Sequence, residues 1–149
     1  MEHDYKNYPE LTNAQIEEFG FNSPHEQITA DFRADVVKVH DGDTITVVCA
    51  CRDFQFPVRF LDIDAPEMSE GGETARDWLK EQLLGEEVEI KINKYNRVGK
   101  YGRLLGKVFH NGLDMSEAML SMSLVVPFGQ KNQASPPDLN KYFRLEQWF

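Results

Sequence analysis

Residues 36–48 read VVKVHDGDTITVV. Val36, Val37 and Val39 before the acidic step, and residues 44–48 after it, are rich in β-formers, while Asp41-Gly42-Asp43 has the chemistry of a turn. The stretch therefore predicts two strands joined at Gly42. It also puts two carboxylates on the joint, where they serve either as turn residues or as ligands for a cation.

Working outward, FQFPVRFLDI at residues 54–63 predicts a third strand, with Arg52-Asp53 as a tight connection, so three strands in a row form a meander. GGETARDWLKEQLLG at residues 71–85 places Ala75, Trp78, Leu79 and Leu83 at helical spacing and stops at Gly85. Two more strands follow, EVEIKIN at 87–93 and RLLGKVFH at 103–110, linked by the basic loop KYNRVGKYG. Asn111-Gly112 turns the chain into a helix around residues 114–121, and a last helix is expected from about Pro137 or Asp138. The order predicts a mainly β, α+β fold: a five-stranded OB-fold barrel with about three helices.

Ahead of the barrel lies an N-terminal extension, and the expected division is residues 1–33 as extension and 34–149 as domain. Within the extension Thr12 and Gln15 have the spacing of a capping box and Gly20 that of a helix stop. With 149 residues and 41% apolar content the chain is long and apolar enough for one core. No apolar run reaches the ~18–20 residues of a membrane helix, and MEHDYKNYPE lacks the features of a secretory signal. The chain as written is expected in the cytoplasm, away from membranes, and outside the cell only if a signal has been removed. Cys49 and Cys51, one residue apart in a strand, are badly placed to bond each other and are expected as buried, inert thiols. Their spacing to His40 or His110 predicts no zinc site.

The net charge of −9 argues against a general polyanion binder. Its distribution is uneven: residues 1–34 carry seven acids against two bases, and the remainder eighteen against fourteen. Between Ile90 and Leu113 stand Lys91, Lys94, Arg97, Lys100, Arg103 and Lys107 with no acid among them. This positive stripe is either a solvated surface or a binding surface for phosphate, and the acidic extension is placed to lie across it as a mimic of such a ligand's charge. Asp64-Ala65-Pro66-Glu67 ends the third strand. If the first and third strands are neighbours, Asp43 and Asp64 approach, and two carboxylates with a carbonyl and waters make a hard oxygen site suited to Ca²⁺. Arg59, five residues before Asp64, faces the opposite way unless the strand bends.

Four motifs now stand in order: VKVHDGDTITVV, VRFLDIDAPE, a Gly-Gly-Glu helix entry, and KYGRLLG. In that order and spacing the chain resembles the staphylococcal nuclease family from about Ala34 to Val126, and more weakly to its end. The resemblance implies Asp43 and Asp64 as calcium carboxylates, Ala65 as donor of a backbone carbonyl, and Asp41 as a contact behind them or through water. It implies Glu67 as general base, Arg59 and Arg103 as phosphate-clamping arginines, and Lys100, Tyr101 and Leu105 as substrate contacts. Phe128 stands in for an aromatic pair that some members carry late in the barrel. The connection after Glu67 is short where some members have a lysine-rich loop, and KYFRLEQWF closes the chain where the family's terminal helix usually continues.

The activity so implied is Ca²⁺-dependent hydrolysis of single-stranded DNA or RNA, with little sequence preference and 3′-phosphate products. The rival reading is an OB-fold adaptor that binds nucleic acid or protein without cutting, and a third is a calcium-stabilised interaction protein. Members that have become adaptors typically lack part of the catalytic set, whereas Arg59, Glu67, Arg103 and both metal carboxylates coexist here.

Overall fold

Strand β1, Phe32–Asp41, runs antiparallel to β2, Thr44–Cys49, with Asp41 opposite Thr44 and Gly42-Asp43 at the turn. Describing residues 3–5, 8–19, 23–99 and 103–129, the computed structural model adds β3 at Arg52–Phe60, the short β4 at Ile63–Asp64, β5 at Glu87–Lys91 and β6 at Leu104–His110. Strand β7, Leu113–Asp114, folds back to pair antiparallel with the end of β6, and β8, Val126–Pro127, pairs with β4. The sheet order is β3-β2-β1-β5-β6, and a parallel pairing of β3 with β6 closes it into a five-stranded barrel. Closure removes the exposed strand edges an open sheet would leave. Three α-helices accompany the barrel among the described residues: α1 at Asn13–Phe19, α2 at Gly72–Leu83 and α3 at Met115–Ser121. The helix expected from about Pro137 lies outside the described residues. None of the described helices is long and apolar enough to cross a membrane.

Alternation along the strands fills the barrel with Val39, Ile45, Val58, Phe60, Ile90 and Val108, all buried. Ala75, Leu79 and Leu83 of α2 are buried against this core, which accounts for their helical spacing in the sequence. Asn111 and Gly112 both have positive φ, 52° and 82°, the signature of the hairpin turn between β6 and β7. Asp114 then caps α3 by accepting from the Ser116 and Glu117 amides at 2.8 and 3.4 Å. At the other end of the chain Thr12 and Gln15 form the reciprocal capping box, with bonds of 3.0 and 3.2 Å.

Several local expectations are corrected. The turn between β2 and β3 lies at Ala50-Cys51, and Arg52 and Asp53 belong to β3. Because the strand breaks there, the Cα atoms of Cys49 and Cys51 are only 5.2 Å apart and the two residues are joined as a disulfide. The expectation of inert thiols assumed an extended strand running through both. Strands β1 and β3 are not neighbours either, since β2 lies between them.

The N-terminal arm packs against one side of the barrel through residues that its polar sequence hides. Leu11 is wholly buried and Ile28 nearly so. Glu10, 1% exposed, meets Arg52 of β3 and Arg97 of the β5–β6 loop in a buried ionic cluster. Arg52 also donates to the Glu26 carbonyl at 2.9 Å and lies over the rings of Phe54 and Phe56. One carboxylate thus serves two guanidinium groups, Arg52 Nε and Nη1 are buried without a hydrogen-bond partner among the described residues, and removing Glu10 would leave both cations stranded.

Gly42 sits where the β1–β2 turn meets α2. A Cβ there would stand 2.8 Å from the Ala75 Cβ and 3.1 Å from the Ala65 Cβ. Gly42→Ala is expected to cost about 1–3 kcal/mol, since neither neighbour is a flexible side-chain end. Thermal unfolding of the variant, several degrees below the parent, checks this.

Candidate active site

Arg59 is the residue around which the site is built. Strand β3 ends one residue later, at Phe60, and the chain bends through Leu61 and Asp62 before β4. Arg59 Nη1 donates to the carbonyls of Phe60 and Ile63 at 2.6 and 2.9 Å, so the bend wraps around its guanidinium. Nη2 donates to Asp64 Oδ1 at 2.5 Å and lies 3.4 Å from Asp43 Oδ2. The strand bends, and Arg59 and Asp64 meet despite their sequence parity.

Asp43 reaches the same place from the β1–β2 turn. Its carboxylate accepts the Ala65 amide at 2.8 Å and the Thr44 hydroxyl at 2.9 Å, and its own amide bonds Asp41 Oδ1 at 3.0 Å. The Asp43 carbonyl also accepts the Phe60 amide at 2.8 Å, which ties the turn to the end of β3. Asp41, Asp43 and Asp64 are thus gathered around one guanidinium.

The electrostatics follow from that crowding. Burial, reinforced by the hydrogen bond to Asp43 and by its charge, pushes Asp41 up to about 6, against a smaller opposing pull from Arg59. Burial also penalises ionised Asp43, but hydrogen bonds from Asp41, Ala65 and Thr44 and the charge of Arg59 outweigh it and hold Asp43 below the usual carboxylate range. One member of the pair keeps a proton more readily so that the other remains charged. Among the described residues no three His, Cys, Asp or Glu side chains converge as a metal-ligand group. Asp43 and Asp64 form a two-carboxylate, all-oxygen donor pair that fits a hard divalent cation when carbonyls or waters complete the shell. Ala65 is fixed at this pair through its amide on Asp43.

On the far side of Arg59 a cavity of about 510 Å³ opens, lined among others by Arg59, Arg103, Leu105 and Phe128. Register explains the grouping. Arg59 is opposite Leu105 in the parallel β3–β6 pairing, and Arg103 immediately precedes β6. Phe128 is held where its amide donates to the Asp62 carbonyl at 3.0 Å and the next amide, Gly129, to Asp64 Oδ2 at 2.9 Å. Its ring then faces the Arg59 guanidinium at 5.7 Å, a cation–π distance.

The residues singled out in the sequence therefore fall into two joined groups, an acidic cluster and a cleft, with Arg59 in both. Glu67 stands apart from the cleft lining, exposed at the start of the 3₁₀ turn Met68–Glu70, where its carbonyl accepts the Glu70 and Gly72 amides. Lys100 and Tyr101 lie outside the described residues. Among the described residues, the bases of the positive stripe do not form one surface. Arg97 is buried with Glu10, Lys107 is 3.4 Å from Asp62, and Lys91 is 3.7 Å from Glu89. Sequence reasoning missed Leu61, Asn96, Val98 and Gly99 as cleft residues. The last three flank Arg97 in the β5–β6 loop, and the isolated bridge of Val98 with Leu104 folds that loop back on itself. Proximity of Asn96, Val98 and Gly99 to the basic residues was the only signal for them.

Comparison with known proteins bears on this arrangement. The chain is 41% identical over 81 residues to the micrococcal nuclease of Shigella flexneri, a match covering 54% of this chain and 44% of that protein. It is 31% identical over 107 residues to an uncharacterized endonuclease of Escherichia coli, covering 70% of this chain and 67% of that protein. It is also 33% identical over 91 residues to endonuclease YncB of Bacillus subtilis, covering 56% and 42%. The matches thus span less than half the length of the Shigella and Bacillus relatives. The family model described as staphylococcal nuclease homologue matches residues 57–147, which include Arg59, Asp64, Glu67, Arg103 and the closing strand β6. The chain belongs to the staphylococcal nuclease homologue family.

Proposed function

We propose that this protein is a Ca²⁺-dependent nuclease that hydrolyses phosphodiester bonds in single-stranded DNA or RNA with little sequence preference and leaves 3′-phosphate ends. One observation carries the reading: Arg59 spans two carboxylates, Asp43 and Asp64, and a cleft that also contains Arg103. The chemistry needs both halves. Attack on a phosphodiester builds charge on the phosphoryl oxygens and on the leaving oxygen, and groups complementary to that charge accelerate the step.

In this reading Asp43, Asp64 and the Ala65 carbonyl are the residues that would hold the cation, with Asp41 behind them. When bound, the cation supplies positive charge at the phosphoryl oxygens. The remaining roles belong to the chain. Arg59 and Arg103 present planar guanidinium forks to phosphate oxygens, a geometry lysine lacks. Glu67 takes the proton of the attacking water. Leu105 and Phe128 give a base an apolar edge and an aromatic face, which accept any base and so favour weak sequence preference. Lys100 and Tyr101 hold a neighbouring phosphate. The adaptor reading keeps the cleft and drops the cutting.

A fluorogenic single-stranded oligonucleotide separates the two. Cleavage is expected with Ca²⁺ and is lost on chelation, and Arg103→Ala is expected to lower kcat/KM about 10²-fold or more. Glu67→Gln is expected to lower kcat by about 10²–10⁴-fold while retaining most of the affinity. Binding that needs no metal and leads to no cleavage would establish the adaptor instead.

The acidic cluster makes a second prediction. With its carboxyl raised from 3.8 to about 6, Asp41 leaves the native state holding more protons than the unfolded chain across that window, so its contribution falls as pH rises. In chelator at pH 7.5, Asp41→Asn is expected to raise Tm by about 2–5 °C, a gain that disappears near pH 4. Ca²⁺ is expected to reverse the order, stabilising the parent more than the variant, because the cation takes over the repulsion that the substitution removes. Differential scanning calorimetry at the two pH values, with and without Ca²⁺, reads all of these outcomes.

A further inference from the structure

Arg97 is a buried base of the positive stripe, and the proposed chemistry does not use it. Its side chain is 2% exposed and its partners all come from the N-terminal arm. Nε donates to the Ile28 carbonyl at 2.9 Å, Nη1 to the Leu11 carbonyl at 2.8 Å and Nη2 to Glu10 Oε2 at 3.1 Å. Glu10 is held in turn by the Ile28 amide at 3.2 Å and by Arg52. A second link runs through Asn13, whose side-chain amide donates to the Lys94 carbonyl at 2.8 Å while its Oδ1 accepts from Arg97 Nη1 at 3.5 Å. The arm therefore grips the β5–β6 loop at two points.

The loop transmits that grip to the cleft. The Arg97 carbonyl accepts the Leu105 amide at 2.8 Å, and the Gly99 amide donates to the Arg103 carbonyl at the same distance. Asn96, Val98 and Gly99, on either side of the buried Arg97, line the cleft together with Arg103. Fixing the Arg97 side chain on one side of the loop fixes, through its backbone, where Arg103 and Leu105 stand on the other.

We infer that the N-terminal arm, through Glu10, Asn13 and Arg97, is a positioning element that sets the place of Arg103 in the cleft. The inference rests on the proposed nuclease reading. It also reverses the sign expected of an acidic extension acting as a substrate mimic: the carboxylate of Glu10 is spent on two buried guanidinium groups, so loosening the arm lowers activity instead of raising it.

The test is a double-mutant cycle in the full chain, read by cleavage of single-stranded DNA in Ca²⁺. Glu10→Gln is expected to lower kcat/KM about tenfold or more, and Asn13→Ala, an exposed change that removes the Lys94 contact and a long bond from Arg97 but leaves both ion pairs of Glu10 in place, about three- to fivefold. In an Arg103→Ala background each is expected to cost less than about twofold, because the residue being positioned is gone. A purely structural role would lower activity by the same factor with and without Arg103. Hydrogen exchange reads the same link without catalysis: in Asn13→Ala the Gly99 and Leu105 amides are expected to exchange faster while Ile90 and Val108 do not change. An active parent whose variants cut as it does, or lose equal factors in both backgrounds, overturns this inference alone. A parent that neither cuts nor binds single-stranded DNA overturns the functional reading and this inference with it.

Discussion

The guanidinium of Arg59 is the constraint on which the rest of the site depends. Three carboxylates within one small region would repel one another and lose hydration together, and in an otherwise apolar setting that cost is several kcal/mol per ion. Arg59 offsets it by spanning Asp43 and Asp64 and by taking up the carbonyls of the bend after β3. The same group forms one wall of the cleft. Arg59 therefore joins the charge balance of the acidic turn to the wall of the cleft.

Much of this was legible in the residues, and the parts that were not share a physical reason. The capping box of Thr12 and Gln15, the positive-φ pair Asn111-Gly112 and the spacing of Ala75, Leu79 and Leu83 are local, so the sequence carries their rules within a few positions. The grouping of Asp43, Asp64, Arg59 and Arg103 came from the order of four motifs, which is a resemblance and not a local rule. What failed depended on tertiary context. The bend that lets Arg59 meet Asp64 breaks strand parity, and the turn at Ala50-Cys51 breaks it again for the cysteines. Glu10 and Arg97 are 87 residues apart, and nothing periodic links an acidic, polar arm to a basic loop. Their burial is visible only once the chain is folded.

The cysteine pair and the arm meet at Arg52. Arg52 follows Cys51 directly and belongs to the buried ionic cluster with Glu10. The β2–β3 turn, the arm and the β5–β6 loop thus share a common anchor. In this chain the loop that lines the cleft rests on residues ahead of the barrel as well as on the barrel itself.

The parallel seam between β3 and β6 has a kinetic meaning. It joins Val58 to Leu104 and Arg59 to Leu105, pairings remote in the chain, whereas the β1–β2 and β2–β3 hairpins pair near neighbours. Entropy favours the hairpins as early structure and leaves the seam among the slowest contacts to form. Since Arg59 and Leu105 face each other across that seam, a chain caught during biogenesis with its meander made and its barrel still open has an acidic turn but no cleft. The cleft is thus completed only by the final zippering of the wall.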